Sequence, residues 1–188
     1  MKFVCLAAIL IGIGGFWYAN AISQPPAPES PAVVPAIPPG AQVITLGMGC
    51  FWHTEAVFKQ VPGVVSVTAG YMGGTTANPT HEQVSRGKSG HTEVARVVYD
   101  PTRTSLEKIL QVFWTSHKLT QSNSIAGRSV IFYYSPEQQQ AAEKSMSAEA
   151  KLFSKPITTQ ISPAQEFYVA EAYNQDYYAK AAKQCSVP

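Results

Sequence analysis

Proline divides this chain before anything else can be read from it. Seven of its 14 prolines fall in residues 23–40, SQPPAPESPAVVPAIPPG. Proline has a fixed φ and no backbone N–H, so this stretch can form neither a helix interior nor a central strand. A packed domain must begin after it, and the 148 residues from 41 to 188 suit a single one. Extended as polyproline II, at about 3.1 Å per residue, the stretch makes a spacer of about 50 Å.

Ahead of the spacer, Lys2 precedes an unbroken apolar run over 3–19, closed by Ala19-Asn20-Ala21. The last three have the small-x-small form of a signal-peptidase site. As a helix the run reaches about 25 Å, short of a hydrocarbon core of roughly 30 Å. Length and cleavage site point to an export signal released before Ile22, whereas a long spacer behind it points to a retained anchor. Either way the domain is expected outside the cytoplasmic membrane, in a periplasm or equivalent compartment. The expected organisation is 1–21 signal peptide or membrane anchor, 22–42 Pro-rich linker, and 43–188 one domain.

Composition narrows the class. Fourteen Lys+Arg against 12 Asp+Glu leave a net charge of +2, which offers no electrostatic footprint for nucleic acid. A hydrophobic content of 45% rules out wholesale disorder. The three cysteines, Cys5, Cys50 and Cys185, lack the even count of a disulfide scaffold, and no CxxC pair occurs. Cys50-x-x-His53 has no second pair to complete four ligands, so no metal is expected. Cysteine chemistry here is therefore expected to be catalytic.

Within the domain, strand and helix signals alternate. Residues 43–46 read as a short buried strand ending at Gly47, and 51–60 as a helix stopped by Pro62-Gly63. A β-branched strand over 64–71 and a glycine loop over 70–74 precede Thr80-His81-Glu82-Gln83, which has capping-box form. In 91–99, Glu93, Ala95, Val97 and Tyr99 fall on one strand face. Thr104-Ser105-Leu106-Glu107 reads as a second capping box, before an amphipathic helix over 105–117 carrying Leu106, Ile109, Leu110 and Phe113. Residues 118–127 read as polar loop and 128–134 as a strand. Ser135-Pro136 starts a helix to about residue 153. A strand within 155–161 and a last helix over 173–183 would leave Cys185 in a loose tail, with Tyr133-Tyr134 and Tyr177-Tyr178 as packing residues. This alternation predicts an α/β or α+β sandwich with a mixed sheet.

Cys50 thus sits at a strand-to-helix junction. A lone cysteine is most simply a small buried hydrophobe. At a helix start, however, free N–H groups and the helix dipole favour thiolate and are expected to lower its pKa. Phe51 and Trp52 beside it are either core residues or walls of an apolar pocket.

Gly49-Cys50-Phe51-Trp52 with Glu55, Gly70-Tyr71-x-Gly73-Gly74, Asn78-Pro79-Thr80, Gly90-His91-x-Glu93 and Tyr99-Asp100-Pro101 resemble, in order and spacing, the peptide methionine sulfoxide reductase A family. The resemblance runs over about 43–116 and resumes at Arg128-Ser129 and Ser135-Pro136-Glu137-Gln138. It implies a two-layer, ferredoxin-like α/β fold and thiol-dependent reduction of methionine-S-sulfoxide, free or in proteins, with no metal or organic cofactor. The protein would act as a monomer, recycled by a thioredoxin-like reductant. Sulfoxide sulfur is a poor electrophile until its oxygen takes a proton, so the reaction needs a thiolate on one side and an acid on the other. The resemblance makes Cys50 the nucleophile, Glu93 the acid, and Phe51 and Trp52 the box for the substrate methyl group. The sulfenic acid left on Cys50 would condense with a second thiol. Cys185 is the candidate in the exported domain, its other reading being an inert tail thiol.

The departures are specific. His81 stands where the family has a tyrosine, and Lys118-Leu119 where it has Asp-Pro. The loop to Arg128 is shortened and lacks the family's Asp and Tyr, so Glu93 would have fewer helpers. The family's glycine-rich C-terminal tail is also cut short. His81 either supplies an N–H donor to substrate or is an ordinary solvated helix residue. The rival to the enzyme is a catalytically weak homologue that binds methionine or methionine sulfoxide side chains.

Overall fold

The β-branched run at the start of the domain forms its central strand, β1 (Gln42–Met48), because six of its seven residues are buried between two neighbours. Those neighbours are β3 (Thr92–Tyr99) and β4 (Ser129–Tyr133), both antiparallel to β1. The computed structural model describes residues 33–120 and 124–185. The expected signal or anchor, the linker up to residue 32, residues 121–123 of the shortened loop and the last three residues lie outside the described residues.

Three further strands complete one sheet of order β5-β4-β1-β3-β2-β6. β2 (Val64–Met72) is antiparallel to β3, β5 (Gln160–Pro163) is parallel to β4, and β6 (Tyr168–Val169) adds a two-residue edge on β2. α1 (Phe51–Lys59) connects β1 to β2, and α3 (Leu106–Thr115) connects β3 to β4. The inner four strands are therefore a βαββαβ unit of ferredoxin-like order, and the parallel β5 makes the sheet mixed, as expected.

One face of the sheet carries the helices. Ile44, Leu46, Ala95, Val97 and Ile131 meet Phe58 of α1, Ile109, Leu110 and Phe113 of α3, and Ala142 of α4 (Pro136–Glu149) in one buried cluster. Each large side chain so buried contributes about 1.5–3 kcal/mol. Glu93 shares this face with Ala95 and Val97 through the two-residue period of β3. On the other face Met72, Val94, Val130 and Phe132 pack with Ala164 and Phe167.

Capping chemistry places the helix starts. α2 (His81–Ser85) has the expected capping box: Gln83 N–H donates to Thr80 Oγ1 at 3.3 Å and Thr80 N–H to Gln83 Oε1 at 3.0 Å. Ser135 caps α4, with Pro136 in the first turn. The second expected capping box is displaced: Ser105, not Thr104, caps α3, accepting from Lys108 N–H at 3.3 Å.

The C-terminal segment departs most from expectation. The strand looked for in 155–161 begins only at Gln160, since Pro156 interrupts and Thr158 donates both N–H and hydroxyl to the Leu119 carbonyl. The single last helix is instead a 3₁₀ turn, Ala172–Asn174, followed by α5 (Tyr177–Cys185). Between them Gln175 donates to and accepts from the Ala69 backbone, Asp176 N–H is held by Glu55, and Asp176 adopts φ +56°. Those tertiary bonds override helix propensity. Cys185 ends α5 rather than lying in a loose tail, and α5 lies against α1. At the other terminus, the Arg96 guanidinium donates to the Pro35 carbonyl at 2.9 Å, so the linker is held to the sheet before β1 starts.

Candidate active site

The turn from β1 into α1 needs a residue in the left-handed region, and Gly49 supplies it at φ +97°. Cys50 follows as the N-cap of α1, extended at φ −69° and ψ 126°, with its carbonyl accepting from both the N–H and the hydroxyl of Thr54 at 3.2 Å. Sulfur thus sits where a capping oxygen usually does. The thiolate expected there is overturned. Burial pushes the Cys50 thiol up, the N–H groups of Trp52 and His53 pull it down by less, and the charge of Glu93 adds to the rise. Cys50 is solvent-exposed, but the protein on its inner side outweighs the helix start.

Glu93 is brought to the thiol by the register of β3, where it lies opposite Tyr71 of β2. Its Oε2 accepts the Phe51 N–H at 3.2 Å, and its Oε1 lies 3.5 Å from His81 Nε2. Its side chain is 13% exposed, and burial pushes its carboxyl above the usual range against the opposing pull of Phe51 N–H and His81. Among the described residues, His81 is the one basic side chain within ion-pair distance of it. His81 Nε2 also lies 3.3 Å from Ser85 Oγ.

Cys50, Phe51, Trp52, His81 and Glu93 line one cavity of about 540 Å³, and Ser124, Ala126 and Gly127 form part of its lining. The sequence-level candidates Cys50, Phe51, Trp52, His81 and Glu93 therefore converge; the side chain of Cys185 lies outside the described residues. Phe51 is fully buried among Ala69, Tyr71, Val84, Ala126 and Ala170, and is as much core as wall. The shortened loop latches onto β3: Glu93 N–H donates to the Ala126 carbonyl at 2.8 Å, and Thr92 Oγ1 to the Ile125 carbonyl at 3.0 Å. His53 faces Ser116 O at 3.0 Å. His91 accepts from Gly74 N–H at Nδ1 and faces the Thr76 carbonyl with Nε2, which makes it a brace for the glycine loop. A Cβ on Gly74 would stand 2.4–2.5 Å from His91 atoms.

Sequence reasoning missed the contribution of residues 171–177. Trp52 Nε1 donates to Asn174 Oδ1 at 3.1 Å, and its indole lies flat on Tyr177, 3.7 Å between centroids and 4° from parallel. Tyr177, expected only to pack its own helix, holds Trp52 in place. Nothing periodic connects positions 52 and 174; the one visible signal was a cluster of polar residues, Glu171, Asn174, Gln175 and Asp176, ahead of an amphipathic helix.

Residues 42–187 match the family model described as "Peptide methionine sulfoxide reductase". The chain belongs to that family. It is 47% identical over 150 residues to the peptide methionine sulfoxide reductase MsrA of Geobacter metallireducens, a match covering 76% of this chain and 93% of that one. Among solved structures, methionine sulfoxide reductase A of Corynebacterium diphtheriae is similar at TM-score 0.73 and 34% identity, covering 77% of this chain and 76% of that one. Mxr1 of Saccharomyces cerevisiae in reduced form is similar at TM-score 0.75 and 27% identity, covering 80% and 91%. The α+β class of this chain matches that of these reductases.

Proposed function

We propose that this chain reduces methionine-S-sulfoxide to methionine through Cys50 and Glu93, as its membership of the reductase family implies. The observation that carries the residue assignment is the shared cavity: thiol, carboxyl and histidine line a single apolar-walled space. Because burial pushes the Cys50 thiol up, its proton must first move to a base, and the Glu93 carboxylate lines the same cavity. The thiolate then attacks sulfur, and Glu93 returns the same proton to the sulfoxide oxygen. As the S–O bond breaks, hydroxide transfers to Cys50: one sulfur is reduced to the thioether and the other oxidised by two electrons to sulfenic acid. Phe51 and Trp52 hold the methyl group, and His81 donates a second hydrogen bond to the oxygen.

The Cys185 thiol then displaces water from the sulfenic acid to form a disulfide, and a thioredoxin-like dithiol reduces it. The reaction draws on no prosthetic group, and its substrates are oxidised proteins or free methionine sulfoxide. The protein acts as a monomer, exported by residues 1–21. No observation favours a binding-only role.

Turnover of a methyl-S-sulfoxide with dithiothreitol tests this. Wild type is expected to turn over and Cys50→Ser to be inert. Cys185→Ser is expected to accumulate a sulfenic acid after one equivalent. A wild-type chain without turnover refutes the activity, and a free Cys185 after turnover removes its role.

A further inference from the structure

The densest set of directed contacts behind the cavity comes from one carboxylate that the chemistry above does not use. Glu171 follows β6, where Ala170 N–H still donates to the Ala69 carbonyl at 3.0 Å. Its Oε1 accepts the backbone N–H of His81 at 2.8 Å. Its Oε2 accepts the Tyr71 hydroxyl at 2.7 Å and Asn174 Nδ2 at 3.1 Å. Asn174 is fully buried and turns its Oδ1 to Trp52 Nε1. One side chain therefore ties β2, the first residue of α2 and, through Asn174, the indole on α1. Phe51 packs inside this frame, its ring 5.7 Å from that of Tyr71 and 5.8 Å from that of His81.

All three groups on Glu171 donate, so the frame is complete only around a charged carboxylate. Burial alone would push that carboxyl up. The His81 N–H, the Tyr71 hydroxyl and the Asn174 amide outweigh it and hold it below its usual range. The segment is also riveted independently of Glu171: the buried Glu55 accepts Asp176 N–H at 2.8 Å and Lys59 at 2.8 Å, and Gln175 brackets Ala69. Replacing Glu171 therefore disturbs the frame without releasing the segment.

We propose that Glu171 is the positioning residue of this cavity, setting His81 directly and the Trp52 indole through Asn174 in the places from which they grip the sulfoxide side chain. This rests on the functional reading above. A glutamine at 171 must turn its NH₂ toward one of the donors, so one wall loses its anchor. A wall misplaced by about 1 Å costs on the order of 100-fold where geometry governs the reaction.

The test compares full-length Glu171→Gln and Asn174→Ala with wild type. Three quantities are read: turnover of a methyl-S-sulfoxide peptide with dithiothreitol, alkylation of Cys50 by iodoacetamide followed by mass spectrometry, and tryptophan emission referred to Trp52→Phe. For Glu171→Gln, KM is expected to rise about 10- to 100-fold with kcat changed by less than about threefold. Cys50 alkylation should stay at the wild-type rate, and Trp52 emission should shift to the red. Asn174→Ala should reproduce the emission shift, and decides the matter alone if Glu171→Gln fails to fold. A soluble Glu171→Gln with wild-type KM, or Trp52 emission unchanged in the variants that fold, overturns the proposal. A wild-type chain that reduces no sulfoxide refutes the functional reading instead, and the emission shift still decides whether Glu171 positions Trp52.

Discussion

Glu93 has one oxygen on the Phe51 N–H and the other turned to His81, so its carboxyl is held in place whichever group carries the proton. In the proposed chemistry the reactive pair, Cys50 and Glu93, holds one proton. Adding a second at low pH protonates Glu93 and removes the base, while losing the only one at high pH removes the acid. Both groups are raised by burial, so the kcat/KM profile should be bell-shaped, with an acid limb above the usual carboxylate range and an alkaline limb above that of an ordinary thiol. The two limbs belong to the pair rather than to either residue. Glu93→Gln should lower the rate by about 10²–10⁴-fold and abolish the acid limb, with KM changed far less. A near wild-type rate in a folded Glu93→Gln would place the acid elsewhere, with His81 the first alternative.

At the scale of elements, α2 is the weakest part of the cavity wall, since it has five residues and depends on its cap. Thr80→Ala should cost about 0.5–2 kcal/mol of local stability. The expected result is faster amide exchange at Gln83 and Val84 and a higher KM, with little change in global melting, read by hydrogen exchange and steady-state kinetics. That cap was legible in advance because Thr-x-x-Gln is local chemistry, and so were the central strands, whose β-branched runs are buried by their own neighbours. Glu93 and Cys50 were legible through motif spacing. The Cys50 pKa was not: helix N–H groups are visible in sequence, but the desolvation that outweighs them depends on what packs alongside. β6 was equally hidden, a two-residue strand formed because Gly70 lets Phe167 and Tyr168 approach. A Cβ there would stand 2.3 Å from the Phe167 ring. The shift of the α3 cap from Thr104 to Ser105 reflects two adjacent hydroxyl residues competing for one position, a choice settled by the turn from Asp100 to Thr104.

For the molecule as a whole, the export reading of residues 1–21 makes a direct expectation: fractionation should recover the domain outside the cytoplasmic membrane. An N-terminus at Ile22 would mean release and an intact Met1 would mean anchoring, whereas a cytosolic domain would refute export. Whatever precedes Val33 reaches the folded body along one route, with the Pro35 carbonyl on Arg96 and then β1 from its Gln42 end. Cys50 lies just past the other end of that strand. β1 is flanked by two antiparallel partners whose hydrogen bonds run across it. A pull through the N-terminus along β1 therefore loads both ladders together in shear instead of opening them one bond at a time. Tension on the N-terminal segment would be borne by the centre of the sheet, with Cys50 at the end of the strand opposite the pull.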